Sequence, residues 1–462
     1  TLPIGTYQVK EVNPPVGYNL IPFDKTFKIV KDKQMMTYNQ VSDWSENKVK
    51  RGGFEVTKAD HDLHKSIPQG DADLENTEYA ITNKSKMPVF VNGKLYKVNE
   101  EIMRIKAHKQ KDGVYKAIIG NNVLPYGTYN ITETAPSLTY NKIAYSKTFS
   151  IREEKQVIKF NDAKTWSENK VKRGGLEITK ADNDLHKSVN QGDATLENTE
   201  YTLINKSKLP VFVNGQLIKV GGTVMNIQAK KQKDGTFKAI VPNETLPIGT
   251  YQVREVQPSE GYNMLMFDKT FRITEDKQII KYNDVKTWSE NKIKRGGLEV
   301  TKADHDLHKS IPQGDADLAN TEYAITNKSK MPVFVNGKVY KVNDVIMTIK
   351  TEKDSKGVYK AVIANGTLPY GTYNITETKA SSTYNKIDFS KDFKIREDNQ
   401  MITFNDVKTW SENKVKRGGL EITKADFDLK KSIEQGDATL ENTEYTVINK
   451  SKLPVFVNGK VY

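Results

Sequence analysis

The sequence predicts an all-β protein built as a tandem array of sandwich domains, and two observations carry that prediction. The first is a long repeat. Arg-Gly-Gly begins at Arg51, Arg173, Arg295 and Arg417, and Trp44, Trp166, Trp288 and Trp410 keep the same step of 122 residues. A period of that length means whole domains in a row, because solenoid units are far shorter. The second is the strand pattern inside one repeat. In GGLEITKAD (174–182), Leu176, Ile178 and Lys180 alternate with Glu177 and Thr179, a period of two.

The remaining elements follow in order. NTEYTLINKS (198–207) reads as a second strand, and PVFVNGQLIKV (210–220) as a hairpin turning at Asn214-Gly215. Asp234-Gly235 marks another hairpin before FKAIV, and GTYQVREV (249–256), FDKTFRIT (267–274) and QIIKYND (278–284) complete the set. Six or seven short strands between turn signals are the pattern of a two-sheet sandwich. The stretch KTWSENKIKRGG is polar and short and reads as a linker, which implies closely spaced domains with the tryptophan packed at the joint.

A second period overlies the first. TLPIGTYQVKEV (1–12) returns almost unchanged at 245–256, whereas LPYGTYNITE (124–133) returns at 368–377. Alternate copies are therefore closer relatives. The expected domains are 1–42 (the end of a repeat), complete repeats at 51–164, 173–286 and 295–408, and 417–462 (the start of another), a window cut from a longer array.

Composition narrows the function classes. The chain is 36% hydrophobic and 28% charged, which suits a folded chain. No run of 18 apolar residues is present, so no membrane span is expected, and any secretion signal is expected to have been removed or to lie outside this window. There are no cysteines, so disulfides cannot brace the domains. The net charge of +13 reads as solubilising lysines and not as a nucleic-acid site. No nucleotide, zinc or serine-hydrolase motif occurs, and no metal or cofactor is expected. His61/His64 and His305/His308 are spaced like a metal pair, but the equivalent positions are Asn183/His186 and Phe427/Lys430, so they read as solvated loop residues.

Three polar positions recur in every copy that contains them: Lys58, Lys180, Lys302 and Lys424 on the opening strand; Glu11, Glu133, Glu255 and Glu377 ending the Gly-Thr-Tyr strand; and Asn39, Asn161, Asn283 and Asn405 on the KYND strand. Parity places Lys180 on the face of Leu176 and Ile178, and Glu255 on the face of Tyr251 and Val253. Both should point into the core, where an unpaired charge is very costly. Asn283 is less clean, since its face carries Ile279 but also Lys281.

LEITKAD on the first strand, LPIGTYQVREVQPSEGYN with its Glu-x-x-x-Pro-x-x-Gly-Tyr tail, and KYND on the last strand resemble Cna B-type domains. These are the prealbumin-like, Ig-like sandwich modules of Gram-positive adhesins and pilins. The B-type tails, APSLTYN and KASSTYN, lose the glycine. The resemblance implies an isopeptide bond between the strand lysine and the terminal asparagine, promoted by the glutamate: Lys58–Asn161 with Glu133, Lys180–Asn283 with Glu255, and Lys302–Asn405 with Glu377. Glu11 and Asn39 lack a lysine, and Lys424 lacks its partners. The chemistry suits the residue types. Burial frees a lysine of its proton, and a buried glutamic acid can polarise the amide and carry a proton to departing ammonia.

The function expected is a structural stalk on a Gram-positive cell surface that projects a distal adhesive region, and not an enzyme with a diffusible substrate. Its partners are the neighbouring repeats. An adhesin whose repeats hold a host matrix protein or a wall polymer is a second reading, with loops 61–69 and 183–191 as the place to look. A sortase-polymerised pilin is a third.

Overall fold

The computed structural model describes residues 1–462. Three complete repeats share one architecture, described here for the second. Its strands are β1 (Arg173–Asp182), β2 (Glu200–Asn205), β3 (Val211–Val213), β4 (Gln216–Ile218), β5 (Thr223–Gln228) and β6 (Lys230–Lys231). They continue with β7 (Phe237–Pro247), β8 (Gly249–Gln257), β9 (Tyr262–Met264), β10 (Asp268–Ile273), β11 (Ile279–Tyr282) and β12 (Ser289–Ile293). One sheet runs β6-β7-β1-β12-β9, with β11 also paired to β1, and the other runs β5-β2-β8-β10. The β3–β4 hairpin turns at Asn214-Gly215, both at positive φ, as a type I′ turn requires.

The alternation that predicted the strands also builds the core. Leu176 and Ile178 from β1, Leu203 from β2, Tyr251 and Val253 from β8 and Phe271 from β10 meet between the sheets with essentially no exposure. Tyr251 closes the end of this core, donating its hydroxyl to the Pro247 carbonyl at 2.9 Å.

The last strand departs from expectation. β11 lies parallel to β1 with Tyr282 opposite Ile178. An unbroken register would bring Asp284 opposite Lys180, but Ser289 stands there, five residues later. Residues 284–288 leave the sheet as a turn, and β12 rejoins it. Ser289, Asn291 and Ile293 are buried, while Glu290 is half-buried and Lys292 exposed. The segment read as a linker is therefore a core strand. The repeats run to Val171, Ile293 and Val415, past the expected ends at 164, 286 and 408. The tryptophan is not at the joint. Trp288 Nε1 donates to Glu290 of its own repeat at 2.8 Å, as Trp166 does to Glu168 and Trp410 to Glu412.

What joins repeats one and two is a single residue, Lys172. Its N–H donates to Thr139 O of repeat one, and its carbonyl accepts from Ile248 N of repeat two. The loop after β1 of repeat one locks this joint. Gly70 exchanges backbone hydrogen bonds with Leu209 and Pro210, Asp71 N donates to Ile248 O, and Gln69 Oε1 accepts from Phe212 N at 2.9 Å. Asp71 takes Thr250 Oγ1 at 2.7 Å, and Asp62 pairs with Arg173 at 2.7 Å. Gln191-Gly192-Asp193 makes the same contacts with repeat three, where Asp184 pairs with Arg295. Loops 61–69 and 183–191 thus lead directly into inter-repeat contacts.

The partial copies keep fragments of the same design. Gly5–Lys10 pairs with Asp24–Ile29, and Tyr18–Leu20 with Asn47–Val49. At the other end Phe456–Val457 and Lys460–Val461 form a hairpin docked on Gln313 and Gly314.

Gly192 has φ +60°, and a Cβ there would lie 2.2 Å from the Tyr370 carbonyl oxygen of repeat three. Gly192→Ala therefore combines a left-handed backbone with a backbone clash, a cost of about 1–2 kcal/mol or more at that joint. Small-angle scattering should show a broader distribution of end-to-end distances, while circular dichroism keeps the all-β signature.

Candidate functional site

Each complete repeat buries one lysine and one glutamate between its sheets, as parity predicted. In repeat two Lys180 Nζ donates to Glu255 Oε2 at 2.7 Å, and both side chains are fully buried. The third partner is not the asparagine the sequence suggested. Asn291, on β12, donates Nδ2 to Glu255 Oε1 at 2.6 Å, and its Oδ1 accepts from Leu265 N at 3.0 Å. Ser289, two residues earlier, bridges the pair: its hydroxyl accepts from Lys180 Nζ at 3.0 Å and donates to Glu255 Oε2 at 2.9 Å.

The other repeats copy this arrangement. Lys58 meets Glu133 at 2.9 Å and Lys302 meets Glu377 at 2.7 Å. Asn169 and Asn413 each donate to the glutamate's other oxygen at 2.7 Å, and Ser167 and Ser411 occupy the bridging place. One carboxylate thus holds the lysine nitrogen on one oxygen and the amide nitrogen on the other.

Asn161, Asn283 and Asn405 stand on the outer face of the large sheet. Asn283 follows Tyr282 and shares the face of Thr179 and Glu177, to which it is hydrogen-bonded. Asn161 contacts Thr57 and Glu55, and Asn405 contacts Thr301 and Glu299. The structure therefore does not bring them to Lys58, Lys180 or Lys302. The reason is the five-residue excursion before β12, which hands the inward position to the Ser-x-Asn pair. The signal in the sequence was the alternation in SENKV and SENKI, with charges only at every second position.

In the N-terminal partial copy, Glu11 holds Ser45 at 2.8 Å and Asn47 at 2.5 Å, the same half-site without a lysine, while Asn39 is exposed. Lys424 is exposed.

The electrostatics favour proton transfer. Burial pulls the Lys180 amine down to about 8 against the opposing charge of Glu255, and Lys58 and Lys302 are likewise pulled to about 8. At pH 7 roughly one such lysine in ten is neutral and nucleophilic, against fewer than one in a thousand for an ordinary lysine. Tyr201, opposite Glu255 on β2, was missed by the sequence reading. Its buried hydroxyl lacks a hydrogen-bond partner, and burial beside Glu255 raises its pKa far above the usual range, which keeps it a proton donor.

Residues 175–287 and 298–409 match the model of the SpaA prealbumin-like fold domain. The second and third repeats are SpaA-type prealbumin-like domains. Repeat one has the same strand order and the same buried cluster. No curated protein matches the chain. Among solved structures, the Bacillus anthracis TIE protein is 20% identical with a TM-score of 0.46, covering 85% of this chain. This chain spans 54% of that protein's length. BcpA, the major pilin subunit of Bacillus cereus, is 16% identical with a TM-score of 0.26, covering 79% of this chain and 100% of its own. The shaft pilin spaA from Lactobacillus rhamnosus GG is 16% identical with a TM-score of 0.20, covering 54% and 100%.

Two outcomes follow from the cluster. Glu255→Ala strands a buried ammonium and should destabilise repeat two by about 3–5 kcal/mol, read by denaturant unfolding. Asn291→Ala keeps Lys180 and Glu255 and removes only the amide from the cluster. The free lysine then has a folded pKa of about 8 against the ordinary 10.5, so the folded state binds fewer protons between those values. Stability of that repeat should rise as pH increases from about 8 to about 10.5, measured by hydrogen exchange in β1.

Proposed function

We propose that this chain is part of the shaft of a Gram-positive cell-surface fibre, and that each complete repeat is braced by an amide bond formed once, during folding. The observation that carries the reading is the single buried carboxylate shared by a lysine on the first strand and an asparagine on the last. The bonds proposed are Lys58–Asn169, Lys180–Asn291 and Lys302–Asn413, with Glu133, Glu255 and Glu377 as the catalytic acids and bases.

The chemistry uses only groups of one hydrogen-bonded cluster. Neutral Lys180 Nζ attacks Cγ of Asn291, and the negative charge developing on Oδ1 is met by the Leu265 N–H. Glu255 takes the proton from the attacking nitrogen and delivers it to Nδ2, which leaves as ammonia. Ser289 holds Nζ and the carboxylate in register, so positioning supplies much of the acceleration. The link closes a loop of roughly 110 residues, and the chain-entropy model gives about 4–5 kcal/mol if it acts like a disulfide.

Two further features support a shaft. β1 and β12 are parallel neighbours, so a bond between them carries tension from one end of the repeat to the other without shearing the sandwich. The joints add to this, because one connecting residue and the Gln-Gly-Asp loop leave little freedom between repeats. The reaction consumes its own site, so no turnover of an external substrate is implied.

Intact mass should fall by three ammonias, and tandem mass spectra of a digest should contain branched peptides joining Lys180 to Asn291 and their counterparts. Asn291→Ala should remove one link and Asn283→Ala should leave it. Unreacted mass with linear peptides only would refute the brace.

A further inference from the structure

A second cluster of the same residue types lies on the outer face of each large sheet. In repeat two Glu177 Oε1 accepts from Lys238 Nζ, reaching over from β7, at 2.8 Å, and from Asn283 Nδ2, at the end of β11, at 2.5 Å. Thr179, the next outward residue on β1, donates its hydroxyl to Asn283 Oδ1 at 3.0 Å. In repeat three Lys360 and Asn405 meet Glu299 at 2.8 and 2.5 Å, and Thr301 donates to Asn405 at 2.9 Å. In repeat one Lys116 lies 3.2 Å from Glu55, which also accepts from Asn161, and Thr57 donates to Asn161 at 3.1 Å. Two donors on one oxygen stand roughly 4–5 Å apart, so a small rotamer change brings the amine to the amide carbon.

Each part has a counterpart at the inner site: an amine, a primary amide, a carboxylate between them and a donor on the amide oxygen. We propose that Lys116–Asn161, Lys238–Asn283 and Lys360–Asn405 are a second set of amide cross-links, formed slowly, that tie β7 to β11 across β1.

The reaction balances without a co-reactant. Neutral Nζ of Lys238 forms a bond to Cγ of Asn283, and Thr179 stabilises the charge on Oδ1. The Glu177 carboxylate accepts the proton from the attacking nitrogen and returns it to Nδ2. The Cγ–Nδ2 bond then breaks, and one ammonia leaves per link.

The difference from the inner site is access to water. Lys238 and Glu177 keep about a fifth of their side-chain surface exposed, 21% and 19%. Glu177 is held below its ordinary pKa by the Lys238 hydrogen bond against a smaller opposing effect of burial, and Glu299 holds Lys360 above its own. The charged groups facing Lys238 are Glu177 on β1 and Asp234 on the β6–β7 turn, with Lys281 of β11 acting on Glu177. A water-accessible amine is almost wholly protonated at neutral pH, so this reaction waits for alkaline pH or long times, whereas the inner one proceeds on folding.

The test is incubation of the full chain at pH 7 and pH 9.5, followed by digestion and tandem mass spectrometry. Branched peptides joining Lys238 to Asn283, and the two counterparts, should accumulate with time. Their rate should rise about tenfold per pH unit below the lysine pKa. Glu177→Gln should slow the link in its own repeat at least tenfold, and Lys238→Arg should abolish it. Asn283-Asp284 can also lose ammonia as a succinimide, but that product is unbranched and survives Lys238→Arg. Finding only the succinimide, or no branched peptide after prolonged exposure at pH 9.5, would overturn the proposal. The Lys180–Asn291 peptide is scored in the same digest, so the two sites fail independently.

Discussion

An isolated charge in a sandwich core costs several kcal/mol, and each repeat buries two of opposite sign together with an amide and a hydroxyl. The shared carboxylate makes this tolerable. Glu255 accepts Lys180 and Ser289 on one oxygen and Asn291 on the other, so its donors and its charge are matched inside one cluster. Much of the fold follows from serving that group. β8 must carry an inward glutamate near its end, β1 must carry an inward lysine after its apolar run, and the last strand must restart so that Ser-x-Asn faces them.

The same strands carry the repeat's mechanical logic. β1 leaves directly into the Gln-Gly-Asp loop, and β12 of the same repeat leads through one residue into β1 of the next. Asp182, two residues beyond Lys180, binds Tyr262 and Gln191, and Gln191 in turn accepts the Phe334 N–H of repeat three. A chain of hydrogen bonds, buried at Asp182 and part-buried at Phe334, therefore runs from beside the cluster to the neighbouring domain. Cores adapt poorly to displaced atoms, so a brace at the cluster also steadies the joint.

Parity made part of this legible in the sequence. Lys180 and Glu255 sat in phase with apolar neighbours over clean alternating strands, and both are where that phase puts them. Asn283 also obeys its phase, but it is the outward one, since Ile280 and Tyr282 take the inward positions. Asn291 was hidden because β12 follows a turn, and a polar Ser-x-Asn strand looks like a linker until its register against β1 is known. The joint was hidden for a related reason. Gln191-Gly192-Asp193 finds its partners more than a hundred residues away, which no local pattern reports. Tyr201 reads as an ordinary strand aromatic, and only its register opposite Glu255 reveals its place.

The central claim is that first and last strands are covalently continuous around one buried carboxylate in every complete repeat. Pulling the chain from its two ends in a single-molecule force experiment tests it most directly. An unlinked repeat would release roughly 350–400 Å of extended chain as the segment between the lysine and the asparagine unravels. No such steps are expected from the three complete repeats up to forces that break covalent attachments, and one step should appear in Asn291→Ala. Three steps of that length in the unmodified chain would contradict it.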